Sequence, residues 1–219
     1  MLAMATDTDT LTLNILLLGG PQSGKSATGN TLLGSHEFES RPSLGSVTQS
    51  CQLLGKTFPR YLRRQGGEAA LSVRVLDTPA CPHCLLSDGD VQRAVGDAVA
   101  RRGRVHLVLL VLRADVPLCG VDRHAVWLAQ ELFGPEWTTH ALIVFTHRDT
   151  LERAGAEEEE YLRRASGMVR ELLDSVRLRH HFVDNSAVWL RTEGKPLLDK
   201  LLDLSRQNKY RELPLKDSF

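Results

Sequence analysis

The chain has 219 residues, and its 27 Lys and Arg residues balance 27 Asp and Glu residues, so the formal net charge is zero. That balance argues against a bulk electrostatic role on nucleic acid or a membrane surface, and 42% hydrophobic with 25% charged residues excludes intrinsic disorder. No apolar run approaches the roughly 20 residues of a membrane-spanning helix. Four cysteines without a secretion signal favour reduced thiols, and we expect a soluble, cytoplasmic protein.

The hydrophobic pattern predicts strands and helices in alternation. In chain order the predicted elements are strand 11–18, helix 25–33, strand 71–76, helix 90–102, strand 105–112, helix 121–133, strand 141–145, helix 156–176, strand 181–183 and helix 196–206. Residues 35–50 are rich in Ser, Gly and Pro and predict a loop. Strands separated by helices imply an α/β fold, with a mostly parallel central sheet and helices on both faces. We expect one domain over residues 11–210, with flexible termini at 1–10 and 211–219.

A phosphate-binding motif follows the first predicted strand. Residues 19–26 read Gly-Gly-Pro-Gln-Ser-Gly-Lys-Ser, which matches G-x-x-x-x-G-K-[ST] and opens a predicted helix. In such a loop, backbone N–H groups surround the phosphates, Lys25 reaches the β and γ phosphates, and the Ser26 hydroxyl binds Mg²⁺. The nucleotide contacts predicted here are Gly19, Gly20, Pro21, Gln22, Ser23, Gly24, Lys25, Ser26 and Ala27.

Polar residues follow three later strands. Asp77 ends the strand before Thr78-Pro79, where it can hold Mg²⁺ through water, although such a turn is also a common loop. Asp149 follows the strand 141–145, and a carboxylate there accepts both N1–H and the exocyclic amine of guanine. Adenine offers no such pair of donors, so Asp149 predicts guanine specificity. The amide of Asn185 is expected to reach guanine O6 or N7.

Several segments together resemble the GIMAP GTPases, which are septin-like, immunity-associated GTP-binding proteins. The resemblance spans about residues 13–206. It rests on residues 24–34, Phe38-Glu39-Ser40, Ser46-Val47-Thr48, Asp77-Thr78-Pro79 and residues 109–134, which end Gln-Glu-Leu-Phe-Gly. It implies a P-loop NTPase with a Ras- or septin-like G domain, of a short single-domain kind without a C-terminal membrane anchor.

The resemblance also implies roles for individual residues. Thr48 takes the switch I position that closes on Mg²⁺ and the γ-phosphate, and Ser40 contacts the nucleotide from the same loop. Thr146 and His147 belong to the base-recognition turn, where His147 stacks on guanine as a neutral ring. The implied Mg²⁺ ligands are Ser26, Thr48 and Asp77. The implied cofactors are GTP, GDP and Mg²⁺, and the implied partner is a second copy in a GTP-dependent homodimer, with no nucleic acid.

One departure from the family pattern concerns hydrolysis. Ala80 replaces the glycine that ends the Asp-Thr-Pro-Gly turn, and that glycine places its N–H on the γ-phosphate through conformations that a Cβ restricts. The sequence therefore predicts nucleotide binding with slow or absent hydrolysis. Arg113 is predicted to form an ordinary surface ion pair and not to act in catalysis.

Two other functions remain open at the level of sequence. Cys81-Pro82-His83-Cys84 is a C-x-x-C motif, which is typical of a redox dithiol and also offers zinc ligands. A GTP-binding scaffold that never hydrolyses its nucleotide is the second alternative. An ATPase is disfavoured by Asp149 and Asn185.

Overall fold

The computed structural model describes residues 10–40, 50–64, 66–80, 87–102, 104–118 and 120–216. A six-stranded sheet has the order β2-β3-β1-β4-β5-β6 and is parallel except where β2 pairs with β3. The strands are β1 Thr10–Leu18, β2 Gln52–Arg64, β3 Gly67–Asp77, β4 Leu107–Arg113, β5 Ala141–Thr146 and β6 His180–Phe182. The helices are α1 Lys25–Leu33, α2 Asp88–Arg102, α3 Gly120–Phe133, α4 Arg148–Arg153, α5 Glu158–Arg164, α6 Gly167–Ser175 and α7 Leu190–Gln207, with a 3-10 helix at Gly134–His140. The predicted fold class is confirmed.

The central strands are apolar on both sides because helices cover both faces of the sheet. In β1, Leu16 and Leu18 pack with α2, α3 and α6, whereas Ile15 and Leu17 pack with α1 and α7. Successive side chains of a strand point to opposite faces, so a continuous apolar run such as β4 is buried throughout. This packing holds the strands parallel and brings their carboxyl ends to one edge.

The hairpin β2–β3 was not predicted, because β2 carries Gly55 and Pro59 in a mixed polar sequence. The two strands are antiparallel, and their register shifts between Phe58 and Leu62, next to Arg60 with its φ of 54°. An edge strand tolerates proline at such an irregularity. Strand β2 therefore forms the edge of the sheet beside β3, the strand that ends at Asp77.

Two predicted helices differ in extent. The predicted helix 156–176 is two helices, α5 and α6, separated by Ala165 and by Ser166, which is extended. Gly167, with a φ of 53°, begins α6. The last helix begins at Leu190 and not at Pro196, which lies inside it. Because proline is common in the first turn of a helix, the sequence predicts Pro196 as the start of this helix, six residues too late.

Both ends of the described chain contact the rest of the fold. Thr10 already pairs with Ala70 in the sheet. Near the other end, Leu213 is buried and bridges Val105, and the Lys216 N–H donates to Leu132 O. The domain bounds 11–210 and the flexible ends at 1–10 and 211–219 stay predictions. Over the described ranges, no helix combines the length and the apolar character needed to span a bilayer.

Candidate functional site

The segments that follow β1, β3, β4, β5 and β6 meet at one edge, because all five strands run parallel. Ligands of open α/β sheets bind at the carboxyl ends of the strands. The phosphate motif, Asp77, Thr146 and Asn185 all lie at this edge. The tertiary fold therefore brings the separate predicted segments together.

The loop 19–24 needs its glycines. A Cβ on Gly19 would lie 2.5 Å from Val111 O, and Gly24 has a φ of 90°. Both positions are strained or blocked for any side chain. Within the loop the hydroxyl of Ser23 is buried and has no hydrogen-bond partner among the described residues, whereas Pro21 and Gln22 are exposed. Buried hydroxyls are normally satisfied, so this one can donate to a phosphate oxygen or bond to a water molecule.

Lys25 and Ser26 open α1 with their polar groups directed to the site. The buried ammonium of Lys25 donates to Gly19 O at 3.0 Å and Gly20 O at 3.1 Å. The Ser26 hydroxyl donates to Asp77 Oδ2 at 2.5 Å. A hydroxyl and a carboxylate from two elements thus converge, and oxygen donors of this kind are the ligands that Mg²⁺ prefers. Ala27 lies in the same first turn and accepts a hydrogen bond from Thr31.

Thr146 joins the phosphate loop to the end of β5. Its hydroxyl is within hydrogen-bond distance of Ser23 O at 2.8 Å and Leu112 O at 3.2 Å. A Cβ on Gly24 would lie 3.1 Å from Thr146 Cγ2. Thr146 therefore fixes the base turn, residues 146–149, against the phosphate loop.

His147 is strained and half-buried at the start of α4. It has a φ of 61°, and its Nδ1 lies 2.9 Å from Thr146 Oγ1 and 4.0 Å from Asp115 Oδ1. Burial lowers the pKa of His147, although the nearby Asp115 acts in the opposite direction. The ring is therefore neutral at neutral pH, which is the form predicted for stacking on a base.

Arg113 and Asp115 form a bidentate ion pair beside this histidine, at 2.9 and 2.7 Å. Asp115 is only 12% exposed, so the pair predicted for Arg113 is partly buried. The hydrogen bond from Arg113 lowers the pKa of Asp115. The Nε and Nη2 of Arg113 both donate to this carboxylate.

Asp149 lies in the first turn of α4 and forms an ion pair with Arg153 one turn later. The neighbouring Arg148 reaches α7 and contacts Glu193 at 3.1 Å. Glu193 also accepts the N–H of Asp184 at 2.9 Å. One carboxylate thus ties the base turn to the loop after β6.

Asn185 faces α1. Its amide oxygen accepts the hydroxyl of Thr31 at 2.8 Å, and its amide nitrogen donates to Thr28 at 3.1 Å. The same nitrogen would lie 3.3 Å from a Cβ at Gly24. Asn185 thus lies beside the phosphate loop, with its amide oxygen already engaged by a threonine.

Of the three residues predicted to lie near the γ-phosphate or in the switch loop, the structure describes Ser40 and Ala80. Ser40 is exposed and follows Phe38, whose backbone is bonded twice by Asn30, at 2.8 and 2.9 Å. Gly29 leaves room for the Phe38 ring, which would lie 2.7 Å from a Cβ there. Ala80 is buried after Asp77. Thr48 lies outside the described residues.

The sequence did not indicate Asp115, Glu193 or the two α1 threonines as members of this site. Glu193 precedes the predicted start of its helix. Thr28 and Thr31 lie within the predicted helix 25–33, where nothing in the sequence distinguishes them from structural helix residues. A signal for Asp115 did exist, since an Arg-x-Asp triplet follows a buried strand at residues 113–115.

The thiol and zinc hypothesis stays a prediction, because Cys81, His83 and Cys84 lie outside the described residues. Of the chain that the structure describes, no three His, Cys, Asp or Glu side chains are grouped as metal ligands. Cys51 is half-buried, and its Sγ lies 3.7 Å from Ala94 O.

Known proteins resemble this chain in sequence and in fold. A model of the AIG1 family matches residues 13–213. Immune-associated nucleotide-binding protein 7 of Arabidopsis thaliana is 29% identical over 213 residues, which cover 94% of this chain and 65% of the relative. Immune-associated nucleotide-binding protein 12 of the same plant is 32% identical over 152 residues, covering 68% of this chain and 36% of the relative. The chain thus spans less than two thirds of the length of these relatives.

Similar solved structures share the fold at low identity. Toc33 from Arabidopsis thaliana in complex with GDP and Mg²⁺ has a TM-score of 0.61 at 18% identity, over 94% of this chain and 88% of that one. A second structure concerns the chloroplast translocon components atToc33 and psToc159, for which dimerization is important for GTPase activity. Its TM-score is 0.64 at 18% identity, over 94% and 87% of the two chains.

Proposed function

We propose that this chain, which belongs to the AIG1 family, binds guanine nucleotides together with Mg²⁺ at the carboxyl edge of its sheet. The observation that carries the proposal is the contact between separate segments. Ser26 meets Asp77, and Thr146 meets Ser23. A phosphate loop, a metal-ligand pair and a base turn therefore form one continuous surface.

The phosphates are assigned to residues 19–27. Gly24 opens the loop without a side chain, the N-terminus of α1 contributes a positive field, and Lys25 supplies a charge already held at the loop. Ser26 and Asp77 would hold Mg²⁺, together with Thr48, and the bound ion would offset charge on the β and γ phosphates. This assignment agrees with the GDP and Mg²⁺ bound by Toc33.

The base is assigned to the turn 146–149 and the adjacent loop. The Asp149 carboxylate accepts the two donors of guanine, and the neutral ring of His147 stacks on the base. Asn185 lines the same side, and Ser40 approaches from the switch loop. Arg148 and Glu193 hold the turn in place.

Titration calorimetry tests the binding of GTP, GDP and ATP in the presence of Mg²⁺. We expect GTP and GDP to bind and ATP to bind at least about 100-fold more weakly, because adenine lacks the pair of donors that the Asp149 carboxylate would accept. Lys25→Ala should remove most of the affinity, whereas Lys195→Ala, at an exposed position on α7, should change nothing. Folded wild-type protein that binds neither guanine nucleotide would overturn the proposal.

We also propose that this chain hydrolyses GTP slowly or not at all and that GTP promotes a homodimer. Ala80 supports the first point, since its side chain occupies the γ-phosphate turn. The importance of dimerization for GTPase activity in atToc33 and psToc159 supports the second. Sedimentation with a non-hydrolysable GTP analogue should show a dimer, and a persistent monomer at high concentration would contradict it.

A GTP-binding scaffold without hydrolysis is the alternative that the same site allows. Single-turnover hydrolysis separates the two. A rate constant that rises with protein concentration indicates a dimer-dependent GTPase, whereas GTP that stays intact at every concentration indicates the scaffold.

A further inference from the structure

A serine preceded by two arginines lies in the connection between α5 and α6. Residues 162–167 read Leu-Arg-Arg-Ala-Ser-Gly, so Ser166 follows Arg163 by three positions and Arg164 by two. No other serine or threonine of the sequence has an arginine or lysine at both of these positions. The nucleotide contacts proposed above include none of these residues, so the segment needs a separate explanation.

Ser166 is exposed, and its backbone is extended. It has a φ of −137° and a ψ of 169°, and Ala165 before it is also non-helical, with a φ of −57° and a ψ of 124°. Enzymes that modify a side chain enclose an extended segment in a cleft, so a serine inside a helix or in the core is a poor target. An exposed connection enters such a cleft without breaking packed contacts. Ser166 therefore already has the conformation that a modifying enzyme requires.

The two arginines occupy the last turn of α5, a helix that opens at little cost. It has seven residues, none of which is buried, and so short a helix is not stable by itself. Arg163 and Arg164 both pair with Glu160, at 3.1 and 2.5 Å, but their side chains are 75% and 78% exposed. Ion pairs this exposed contribute little to stability. Another set of carboxylates can therefore replace Glu160 as their partner.

We propose that Ser166 is the phosphorylation site of a protein kinase that recognises two arginines on the amino-terminal side of its target. Carboxylates of the kinase pair with Arg163 and Arg164. The Ser166 Oγ attacks the γ-phosphorus of the kinase's MgATP; the new O–P bond forms, the bond from that phosphorus to the β,γ-bridging oxygen breaks, and ADP leaves. The hydroxyl proton passes to the catalytic aspartate of the kinase and then to solvent. This inference does not depend on nucleotide binding by the chain itself.

The folded chain accommodates the phosphate at this position. Ser166 is the N-cap of α6, and its side chain makes no capping hydrogen bond in the unmodified protein. A phosphate there carries a charge of about −1.5 to −2 at pH 7, which the N-terminus of a helix favours. Arg163 and Arg164 can exchange the carboxylate of Glu160 for the phosphate. The modification therefore adds charge where the chain offers compensating groups and displaces no buried side chain.

Incubation of the folded chain with MgATP and cyclic-AMP-dependent protein kinase, which selects serines with two such arginines, tests the proposal. Mass spectrometry should find one phosphate per chain, on Ser166. Its rate of incorporation should lie within about 100-fold of the rate for a synthetic peptide of residues 160–170, because only a local opening is needed. Ser166→Ala should take up none. Ser186 is an internal control, since it is exposed but has no arginine before it, and it should stay unmodified.

Arginine variants separate recognition from exposure alone. Arg163→Gln and Arg164→Gln should each slow phosphorylation by about 30-fold, because each removes a charge pair with the kinase. Arg170→Gln is the matched control: Arg170 also forms an exposed ion pair one turn away, with Asp174, but it follows the serine, so the rate should stay at the wild-type value. Equal phosphate uptake by wild type and Ser166→Ala, equal rates in all three arginine variants, or a folded chain more than about 100-fold slower than the peptide would overturn the inference.

Discussion

Asp149 is the residue on which base specificity depends. Asp149→Asn replaces an acceptor by a group that donates to the C2 oxygen of xanthine, so affinity should shift from GTP towards XTP. The loss for GTP should be about 100-fold. Competition between GTP and XTP, followed by calorimetry, measures the shift.

The control for this variant comes from the ion pair on α4. Arg153→Gln removes the partner of Asp149 but keeps the carboxylate. It should leave the preference for GTP unchanged, since an exposed ion pair contributes little. Equal GTP preference in wild type and Asp149→Asn would show that another group reads the base.

Ala80 is expected to affect the hydrolysis of GTP but not its binding. Residue 80 belongs neither to the phosphate loop nor to the base turn, so Ala80→Gly should bind GTP with wild-type affinity. Glycine restores backbone freedom next to the γ-phosphate, and single-turnover hydrolysis should rise about tenfold, which corresponds to about 1.4 kcal/mol in the barrier. Equal rates in both proteins would mean that the alanine is accommodated.

His181 makes stability depend on pH. Burial lowers its pKa to about 4 from 6.5, and Lys200, Arg148 and His180 act in the same direction. Between these values the unfolded chain binds a proton that the folded chain does not, so stability falls as the pH falls. The contribution should be on the order of 1–3 kcal/mol.

Urea unfolding at about pH 7 and about pH 5 measures this effect, a range that lies above the titration of most carboxyl groups. His181→Gln should lose less stability than wild type over the same interval. His180→Gln is the control, because it changes an adjacent imidazole on the same strand. Identical pH dependence in all three proteins would rule out His181 as the source.

At the scale of elements, the contact between α1 and α7 depends on Gly194. A Cβ at this position would lie 2.1 Å from Thr31 O, which is backbone and cannot rotate away. Gly194→Ala should therefore destabilise the fold by about 1–3 kcal/mol through overpacking. Because Thr31 also donates to Asn185, the same variant should weaken nucleotide binding.

The matched control is Gly120→Ala at the start of α3, where nothing lies within 4 Å of an added Cβ. That change should be neutral or slightly stabilising. Urea unfolding of the two variants measures the difference. Equal stability would show that α7 shifts away from α1 without cost.

For the whole molecule, nucleotide binding and folding should be linked. GTP with Mg²⁺ at about 100 times its dissociation constant should add about 2.7 kcal/mol to the stability. Thermal unfolding should shift upwards with GTP and Mg²⁺, less when a chelator removes the metal, and not at all in Lys25→Ala. A shift of the same size with ATP would contradict guanine specificity.

The alternating α/β order, the phosphate loop and the family could all be predicted from the sequence. These features depend on neighbouring residues, because a glycine loop between an apolar strand and a helix is encoded within about 20 positions. The strand β2 escaped prediction, since its Gly55 and Pro59 are tolerated only through its pairing with β3. The residues of β2 alone do not indicate that β3 will pair with them.

The contacts that hold the site together could not be predicted, because they join residues far apart in the chain. Glu193 reaches Arg148 across 45 residues, and Asn185 reaches Thr31 across 154. Contacts between distant residues depend on strand order and helix packing, which arise from the burial of all apolar faces together and not from any one segment.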